Sequence, residues 1–452
     1  MIELKDKNIL VFGTGISGIG AAKLLLDREA HVILYDGNTK TDREKVFAAL
    51  PEGADARLIL GDLPEETVDE LSLVILSPGV PCDLPLVLHL KEKGIPVWGE
   101  VELAFRCGKG DVLAITGTNG KTTTTSLLGE IMKSVYPEVH VVGNIGFSYT
   151  DAARSMTDQA VTVAEISSFQ LETTETFSPR VSAITNITPD HLNRHHTMEE
   201  YIRVKELIAA HQRPDDTCVL NYEDEELRRF GQDLPVKVTW FSSRQRLENG
   251  LFLDGDRIVI AKDGQEEVLC RVDELNLLGT HNYENVMTAA GMALAYHVTP
   301  EQIRPVLRSF QAVEHRIEYV TEKNGVVYYN DSKGTNPDAA IKGIQAMNRP
   351  TVLIGGGYDK ASSYEEWINS FDGKVKVLVL MGQTRNKIAE AAHRCGFDSI
   401  LFAESLEEAV RISAREAQPG DAVLLSPACA SWDMFPNYET RGREFKDLVR
   451  AL

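Results

Sequence analysis

Ala114-Ile115-Thr116-Gly117-Thr118-Asn119-Gly120-Lys121-Thr122-Thr123 is the stretch on which the reading of the whole chain turns. The apolar run Val112–Ile115 before it has the character of a buried strand, and the residues after it begin a helical pattern. Gly117 and Gly120 allow backbone N–H groups to turn inward on a phosphate, and the following helix adds the positive end of its dipole. Lys121 supplies a point charge for β- and γ-phosphate oxygens, and Thr122 offers a hydroxyl to Mg²⁺. Ile115 stands where the strict Walker spacing has its first glycine. A plain glycine turn before a helix would also fit that spacing; the strand–loop–helix context and the Gly-Lys-Thr ending favour a nucleotide site.

Working outward, Glu165 closes the apolar run Val161–Glu165 and precedes Ile166-Ser167-Ser168-Phe169-Gln170-Leu171-Glu172. An acid at the C-terminal end of a strand in such a domain is placed to hold Mg²⁺. Asn186-Ile187-Thr188-Pro189-Asp190-His191-Leu192-Asn193-Arg194-His195-His196 follows the next strand. His191 and His195 are four apart, but Leu192 stands where a helical zinc motif carries glutamate, so His191 completing an oxygen-rich Mg²⁺ site with Glu165 is the sharper expectation. His195 and His196 read as solvent-exposed residues at a helix start. Lys205, on an amphipathic helix Tyr201–Ala210, reads by itself as an ordinary surface lysine.

Strand and helix patterns alternate along the whole chain, as in α/β domains with mainly parallel sheets. Near the N-terminus, Gly13-Thr14-Gly15-Ile16-Ser17-Gly18 fits a dinucleotide fingerprint, with Asp36 eighteen residues after Gly18 at the end of the second strand. Taken alone it says that some pyrophosphate, of NAD, FAD or UDP, approaches the backbone there. The expected fold is α/β in three domains: a Rossmann-like N-terminal domain over 1–99, a central P-loop ATPase-type domain over 100–311, and a Rossmann-like C-terminal domain over 312–452. Asp215–Asp273, with turns such as Asp254-Gly255-Asp256, reads as a small antiparallel β section added to the central domain, followed by a helix from about Tyr283 to His297.

With 452 residues, two or three domains are the natural expectation. The net charge of −20 argues against nucleic acid as a partner, and it requires a polyanion site to gather its own cations. None of the six cysteines forms a CxxC pair, so neither a thiolate metal site nor a disulfide framework is expected, and a reducing cytoplasm fits. No apolar run reaches the roughly 18 residues that span a bilayer, and the first residues read as a strand and turn rather than a signal peptide.

Taken in order, several motifs resemble the Mur ligase family. They are Thr116–Thr122, Gly143-Asn144-Ile145-Gly146, Glu165 with Ser167–Glu172, Asn186 with Asp190-His191, Gly279–Asn285, His315-Arg316, Asn330–Pro337, Ser426–Ser431 and Arg441-Gly442. The resemblance implies an ATP-dependent amide ligase of cytoplasmic peptidoglycan precursor synthesis. Asn330-Asp331-Ser332-Lys333 and Ser426-Pro427-Ala428-Cys429-Ala430-Ser431 look like the forms of its D-glutamate-adding branch. The Asp-Asn-Pro-Arg and His-His-Pro motifs of two other branches are missing. The implied substrates are ATP, UDP-N-acetylmuramoyl-L-alanine and D-glutamate, with Mg²⁺ (two ions) and a monomeric enzyme.

By the same resemblance, Gly117, Thr118, Asn119, Gly120, Lys121, Thr122 and Thr123 hold the ATP phosphates, and Asn285, Arg316 and Asp331 match adenosine- and phosphate-contacting positions. Thr122, Glu165, His191 and a carbamylated Lys205 match the metal-binding set. Lys121, Glu165, His191, Lys205 and Lys333 match the catalytic set. Ile16, Ser17, Gly37, Asn38, Ser77 and Gly79 match UDP-binding positions, and Asn144, Ser167 and Gln170 the muramoyl-alanine arm. Lys333, Thr335, Lys360, Ser431 and Tyr438 match positions around the D-glutamate carboxylates, with Trp432 at a variable position. The competing readings are a folate polyglutamate-adding relative, an NAD-dependent oxidoreductase built on Gly13–Gly18, and a nucleotide-binding switch without ligation chemistry. The second leaves the Lys121 loop unexplained. The third leaves Glu165, Lys205 and Lys333 without a purpose.

Overall fold

The computed structural model describes residues 3–144, 147–311, 313–360 and 362–452. Ile145 and Gly146 of the second glycine motif, and Ala312 at the expected last boundary, lie outside the described residues. The chain divides into two compact units. One contains the residues up to Arg271 together with Glu284–Leu307, and the other contains Val272–Tyr283 and Arg308–Leu452.

The first unit holds two sheets. β1 (Asn8–Phe12), β2 (His31–Asp36), β3 (Ala56–Leu60), β4 (Leu73–Leu76) and β5 (Val97–Gly99) form a parallel sheet in the order β3-β2-β1-β4-β5. Ile9, Leu10 and Val11 are all fully buried, as a strand covered by helices on both faces requires. The order reverses at β1, so the loops after β1 and β4 flank the crevice in which such sheets bind ligands.

The second sheet has nine strands: β6 (Asp111–Thr116), β7 (Val139–Gly143), β8 (Val161–Glu165), β9 (Val181–Ile184), β10 (Thr217–Asn221), β11 (Lys237–Ser242), β12 (Gly250–Asp254), β13 (Arg257–Lys262) and β14 (Gln265–Arg271). Their order is β14-β13-β12-β11-β10-β9-β6-β8-β7. β6 lies between β8 and β9, which brings the glycine loop after β6, Glu165 and Thr185 to one edge. The helix Lys121–Lys133 packs against β6, β7 and β8 and buries Leu127, Leu128, Ile131 and Met132. Each such apolar side chain contributes about 1.5–3 kcal/mol when fully buried.

The section Asp215–Asp273 departs from expectation. β10 and β11 continue the central sheet in parallel, and β11 pairs in parallel with β12; only the β12–β13 and β13–β14 pairs are antiparallel. The cause is the helix Glu225–Asp233, capped by Asp224 and packed through Leu227, which serves as the crossover between β10 and β11. One continuous apolar core joins residues of both sheets, from Ile9 and Trp98 to Tyr149 and Leu220.

The second unit carries β15 (Glu318–Lys323), β16 (Val326–Asn330), β17 (Thr351–Gly355), β18 (Val375–Leu380), β19 (Ile400–Phe402) and β20 (Ala422–Leu425) in the order β15-β16-β20-β17-β18-β19. All neighbours are parallel except β15 on β16. The sequence reading had neither edge strand, β15 or β19. Among the described residues no helix is long and apolar enough to cross a membrane.

Candidate active site

The glycine loop after β6 is built around two glycines at positive φ, where an added Cβ would also crowd a neighbouring side chain. Gly117 has φ +141°, and a Cβ there would sit 1.9 Å from Thr185 Oγ1; Gly120 has φ +86°, and its Cβ would sit 2.2 Å from Asn285 Oδ1. The loop is also tied to the segment after β9. Thr118 N donates to Asn186 O (2.9 Å), Asn119 N to Asn186 Oδ1 (2.9 Å), and Thr185 Oγ1 to Asn119 O (2.6 Å). Thr185 and Asn186 therefore set the loop's shape. Asn186 stood in a quoted motif, but neither residue had been given a role, because a loop-to-loop bond leaves no spacing in the sequence.

Lys121 folds back over the loop, its Nζ donating to Gly117 O (2.8 Å) and Thr118 O (2.9 Å). Lys205 donates to the same Gly117 carbonyl from the opposite side of the sequence, also at 2.8 Å. It is 2% exposed and lies 4.7 Å from the Tyr201 ring, so its reading as a surface lysine is corrected: the helix Met198–Glu206 turns this residue inward. Burial, and next the charge of Lys121, hold the Lys205 ammonium well below the usual lysine range, with Asp190 pulling the other way. Thr122 is half-buried at the start of the helix, Thr123 is buried, and Thr124 Oγ1 lies 3.4 Å from Asn285 Oδ1.

Glu165 is in register with Ile115 and is 1% exposed. Its Oε1 accepts from Asn144 Nδ2 at 3.0 Å, while its Oε2 is buried with no hydrogen-bond partner among the described residues. An unpartnered buried carboxylate oxygen costs stability unless a cation meets it, so this donor fits a hard divalent ion such as Mg²⁺. His191 has φ +52° and precedes the short helix Leu192–His195; its exposed ring lies tilted against Phe169, with centroids 4.9 Å apart, and its Nε2 is 3.4 Å from Asp190 Oδ2. His191 and His195 thus do not form a helical pair. His195 was expected at the surface and is instead buried, with Nε2 2.9 Å from Ser168 Oγ and Nδ1 3.1 Å from Glu172 Oε1. Phe169 and Tyr201 cover its ring, which explains the burial. His196 is exposed, as expected.

Ser167 and Gln170 form a capping box. Ser167 N and Oγ donate to Gln170 Oε1 at 2.8 and 2.9 Å, and Gln170 Nε2 donates to Glu100 Oε1 at 2.7 Å. Glu100 is a buried acid that sequence reasoning missed, and burial raises its pKa. At the first glycine loop, a Cβ on Gly18 would sit 1.8 Å from Gly13 O, and one on Gly13 would sit 2.6 Å from Ser77 Oγ. Asp36 accepts from Thr14 Oγ1 (2.6 Å) and from Asn38 N (2.9 Å). Ile16 is 86% exposed, Ser77 Oγ is buried without a partner among the described residues, and Ser17, Gly37 and Gly79 flank the same crevice edge. A cavity of about 450 Å³ opens beside Gly15, Ile16 and Thr41.

In the second unit Asp331 is buried at the end of β16. Its Oδ2 accepts from Ser426 Oγ at 2.7 Å, and burial pushes its carboxyl up to about 7 against the pull of Ser426 and Arg316. Lys333 Nζ lies 5.7 Å from the Tyr438 ring, and Thr335 N donates to Lys333 O at 2.8 Å. Lys360 Nζ lies 4.9 Å from the ring of Trp432, which follows buried Ser431. Arg441 was quoted in the sequence only as part of a motif. It is 1% exposed and donates to Ser332 O (2.8 Å) and Cys429 O (3.2 Å), which ties the Lys333 segment to the Ser431 segment. The loop, Lys205 and Asn285 thus gather in the first unit, and Asp331, Arg316, Lys333 and Tyr438 in the second.

The Mur ligase MurD-like N-terminal domain matches residues 7–99, the Mur ligase middle domain 115–293, and the Mur ligase glutamate ligase domain 315–429. A UDP-N-acetylmuramoylalanine–D-glutamate ligase of Lachnoclostridium phytofermentans is 56% identical over 99% of this chain and 98% of its own length. One of Lachnospira eligens is 53% identical over the whole of both chains. The crystal structure of a UDP-N-acetylmuramate–alanine ligase of Thermotoga maritima shares the fold, with a TM-score of 0.60 at 19% identity over 98% of this chain and 99% of that one. With three α/β domains matched in order and full-length relatives above half identity, the chain belongs to the Mur ligase family.

Proposed function

We infer that this chain is an ATP-dependent ligase of peptidoglycan precursor synthesis. It joins the L-alanine carboxylate of UDP-N-acetylmuramoyl-L-alanine to the amine of D-glutamate and gives ADP and phosphate. What supports this most directly is a glycine loop carrying two lysines beside the buried, unpartnered Glu165 Oε2, in a chain alike end to end with ligases of that name. A carboxylate is a poor electrophile, because its charge repels nucleophiles and oxide does not leave. Transfer of the γ-phosphoryl group to one of its oxygens, with release of ADP, gives an acyl phosphate. The D-glutamate nitrogen then bonds to the acyl carbon, and phosphate departs.

Lys121 and the loop amides stabilise the charge that gathers in both steps, together with Arg316 and Lys333. Bound Mg²⁺, taken as two ions, would neutralise phosphoryl oxygens. Thr122, Glu165, His191 and a carbamate on Lys205 would hold it. The neutral amine that burial favours at Lys205 is the form that can attack CO₂, losing a proton and becoming an anion. The UDP part belongs to the crevice of Ile16, Ser17, Gly37, Asn38, Ser77 and Gly79. The muramoyl-alanine arm belongs with Asn144, Ser167 and Gln170, the nucleotide with Gly117–Thr123, Asn285, Arg316 and Asp331, and D-glutamate with Lys333, Thr335, Lys360, Ser431 and Tyr438. The domain limits 1–99, 100–311 and 312–452, a monomer, and a cytoplasmic location complete the proposal.

Phosphate release from ATP tests it, with UDP-N-acetylmuramoyl-L-alanine and Mg²⁺ present. D-glutamate should drive release, and L-glutamate, L-alanine and diaminopimelate should not. Equal release with all four, or none with D-glutamate, would refute the assignment.

A further inference from the structure

Trp432 is the most exposed of the large ring side chains in the second unit, at 61%. Leaving an indole in water sacrifices its apolar burial, so its position calls for a partner. That partner is a cation: Lys360 Nζ sits 4.9 Å from the ring centroid, within cation–π range. The ring is braced from the side by Tyr358, with centroids 5.6 Å apart. The two loops carrying these residues follow β17 and β20 and are pinned by Tyr358 N donating to Ala430 O at 2.9 Å.

The neighbouring acids are engaged elsewhere. Asp359 takes Lys387 at 3.0 Å, and Asp433 Oδ2 accepts from Gln383 N at 2.9 Å. Lys360 itself forms no ion pair among the described residues. An ammonium on a four-carbon stem would otherwise sample many rotamers. Held against an aromatic face, it keeps its outward hemisphere open to an anion.

We propose that Trp432 is a positioning residue for amino-acid selection: its ring orients the Lys360 ammonium as the receptor for the side-chain carboxylate of the incoming dicarboxylic amino acid. The proposal rests on the ligase reading above and on Lys360 standing at the amino-acid end of the site.

The test is a D-glutamate titration of phosphate release by the full chain, with ATP, Mg²⁺ and UDP-N-acetylmuramoyl-L-alanine saturating. Trp432→Leu should raise the KM for D-glutamate about two- to fivefold, the size of one exposed cation–π contact, and Trp432→Phe should restore most of it. The KM for ATP should not move. Lys360→Ala should raise the KM for D-glutamate at least as much. The double variant Lys360→Ala/Trp432→Leu should be no weaker than Lys360→Ala, since the ring acts only through the lysine. D-glutamate should also change tryptophan fluorescence in the natural chain and not in Trp432→Phe. If Lys360→Ala raises that KM and Trp432→Leu does not, or if the two losses add in full, the role of Trp432 is overturned while the ligase reading stands. If neither variant moves the KM, the role falls together with the placement of Lys360. If the natural chain releases no phosphate with D-glutamate, the ligase reading and this proposal fall together.

Discussion

The first unit contains two glycine loops of the same grammar, strand, glycine turn and helix, and they have been equipped for different work. The loop after β1 closes on itself: Gly18 touches Gly13 O, Asp36 ties Thr14 and Asn38, and Ile16 leads the helix as an exposed apolar residue. The loop after β6 carries Lys121 and Lys205 on one carbonyl and has a buried acid with an unpartnered oxygen in the neighbouring strand. Both backbones offer N–H groups to phosphate. The second brings two lysines onto one carbonyl with a buried carboxylate in the neighbouring strand, the kind of charge that phosphoryl transfer demands.

The largest expected effect breaks the second loop. Lys121→Ala should lower turnover by about 10³-fold or more while the fold survives, because the side chain bonds loop carbonyls of its own turn. Near-normal phosphate release would show that the two loops are not differently equipped. Glu165→Gln should cost about 10²-fold in turnover and raise the Mg²⁺ concentration needed for half-maximal rate. Its melting temperature should not fall, since Oε2 has no partner among the described residues to lose and Gln keeps the Oε1 bond to Asn144. A large drop in melting temperature would mark Glu165 as structural.

Gly18→Ala sharpens the other side of the comparison. Its Cβ would meet backbone, which cannot rotate away, so a loss of about 1–3 kcal/mol or more is expected, with a higher KM for the muramoyl nucleotide and an unchanged KM for ATP. Calorimetry and kinetics at a temperature where the variant is folded would check it. Lys205→Met should lower turnover, by less than Lys121→Ala does, yet stabilise the chain in CO₂-free buffer near neutral pH. The folded lysine has a depressed pKa, so below the unfolded value of 10.5 the unfolded state binds the proton and the folded state does not. The penalty therefore grows as pH falls from about 10.5 toward the folded pKa, and the advantage of the methionine should vanish above that range. A methionine variant less stable at every pH would refute the buried, neutral amine.

The sequence made both glycine loops, most parallel strands and Glu165 legible, since glycine spacing, β-branched runs and an acid closing a strand are local signals. Lys205 was not legible as a buried residue: Tyr201 stands one helical turn before it, but the carbonyl that draws its ammonium inward, Gly117 O, comes from a loop 88 residues away in the sequence. His195 failed for the same reason, because its partners Ser168 and Glu172 come from another strand-to-helix turn. The parallel run of β10 and β11 was hidden by turn-rich sequence after β12, and the contact of Trp432 with Lys360 joins two loops more than seventy residues apart.

The smallest effect is expected at Asp36, and it bears most directly on how the two loops differ. Asp36 ends β2 as Glu165 ends β8, but both of its oxygens are satisfied within the protein, by the Thr14 hydroxyl and the Asn38 amide. Asp36→Asn keeps one carbonyl oxygen for the Asn38 amide and turns an amide hydrogen toward Thr14, whose hydroxyl can rotate to accept it. The change should cost at most about 1 kcal/mol of stability, the net worth of one hydrogen bond, and raise the KM for the muramoyl nucleotide by a small factor. Turnover, Mg²⁺ dependence and the KM for ATP should stay where they are. If Asp36→Asn instead altered Mg²⁺ dependence, the acid of the first loop would be acting on the metal as Glu165 does, and the two loops would share a chemistry that their different side-chain partners argue against.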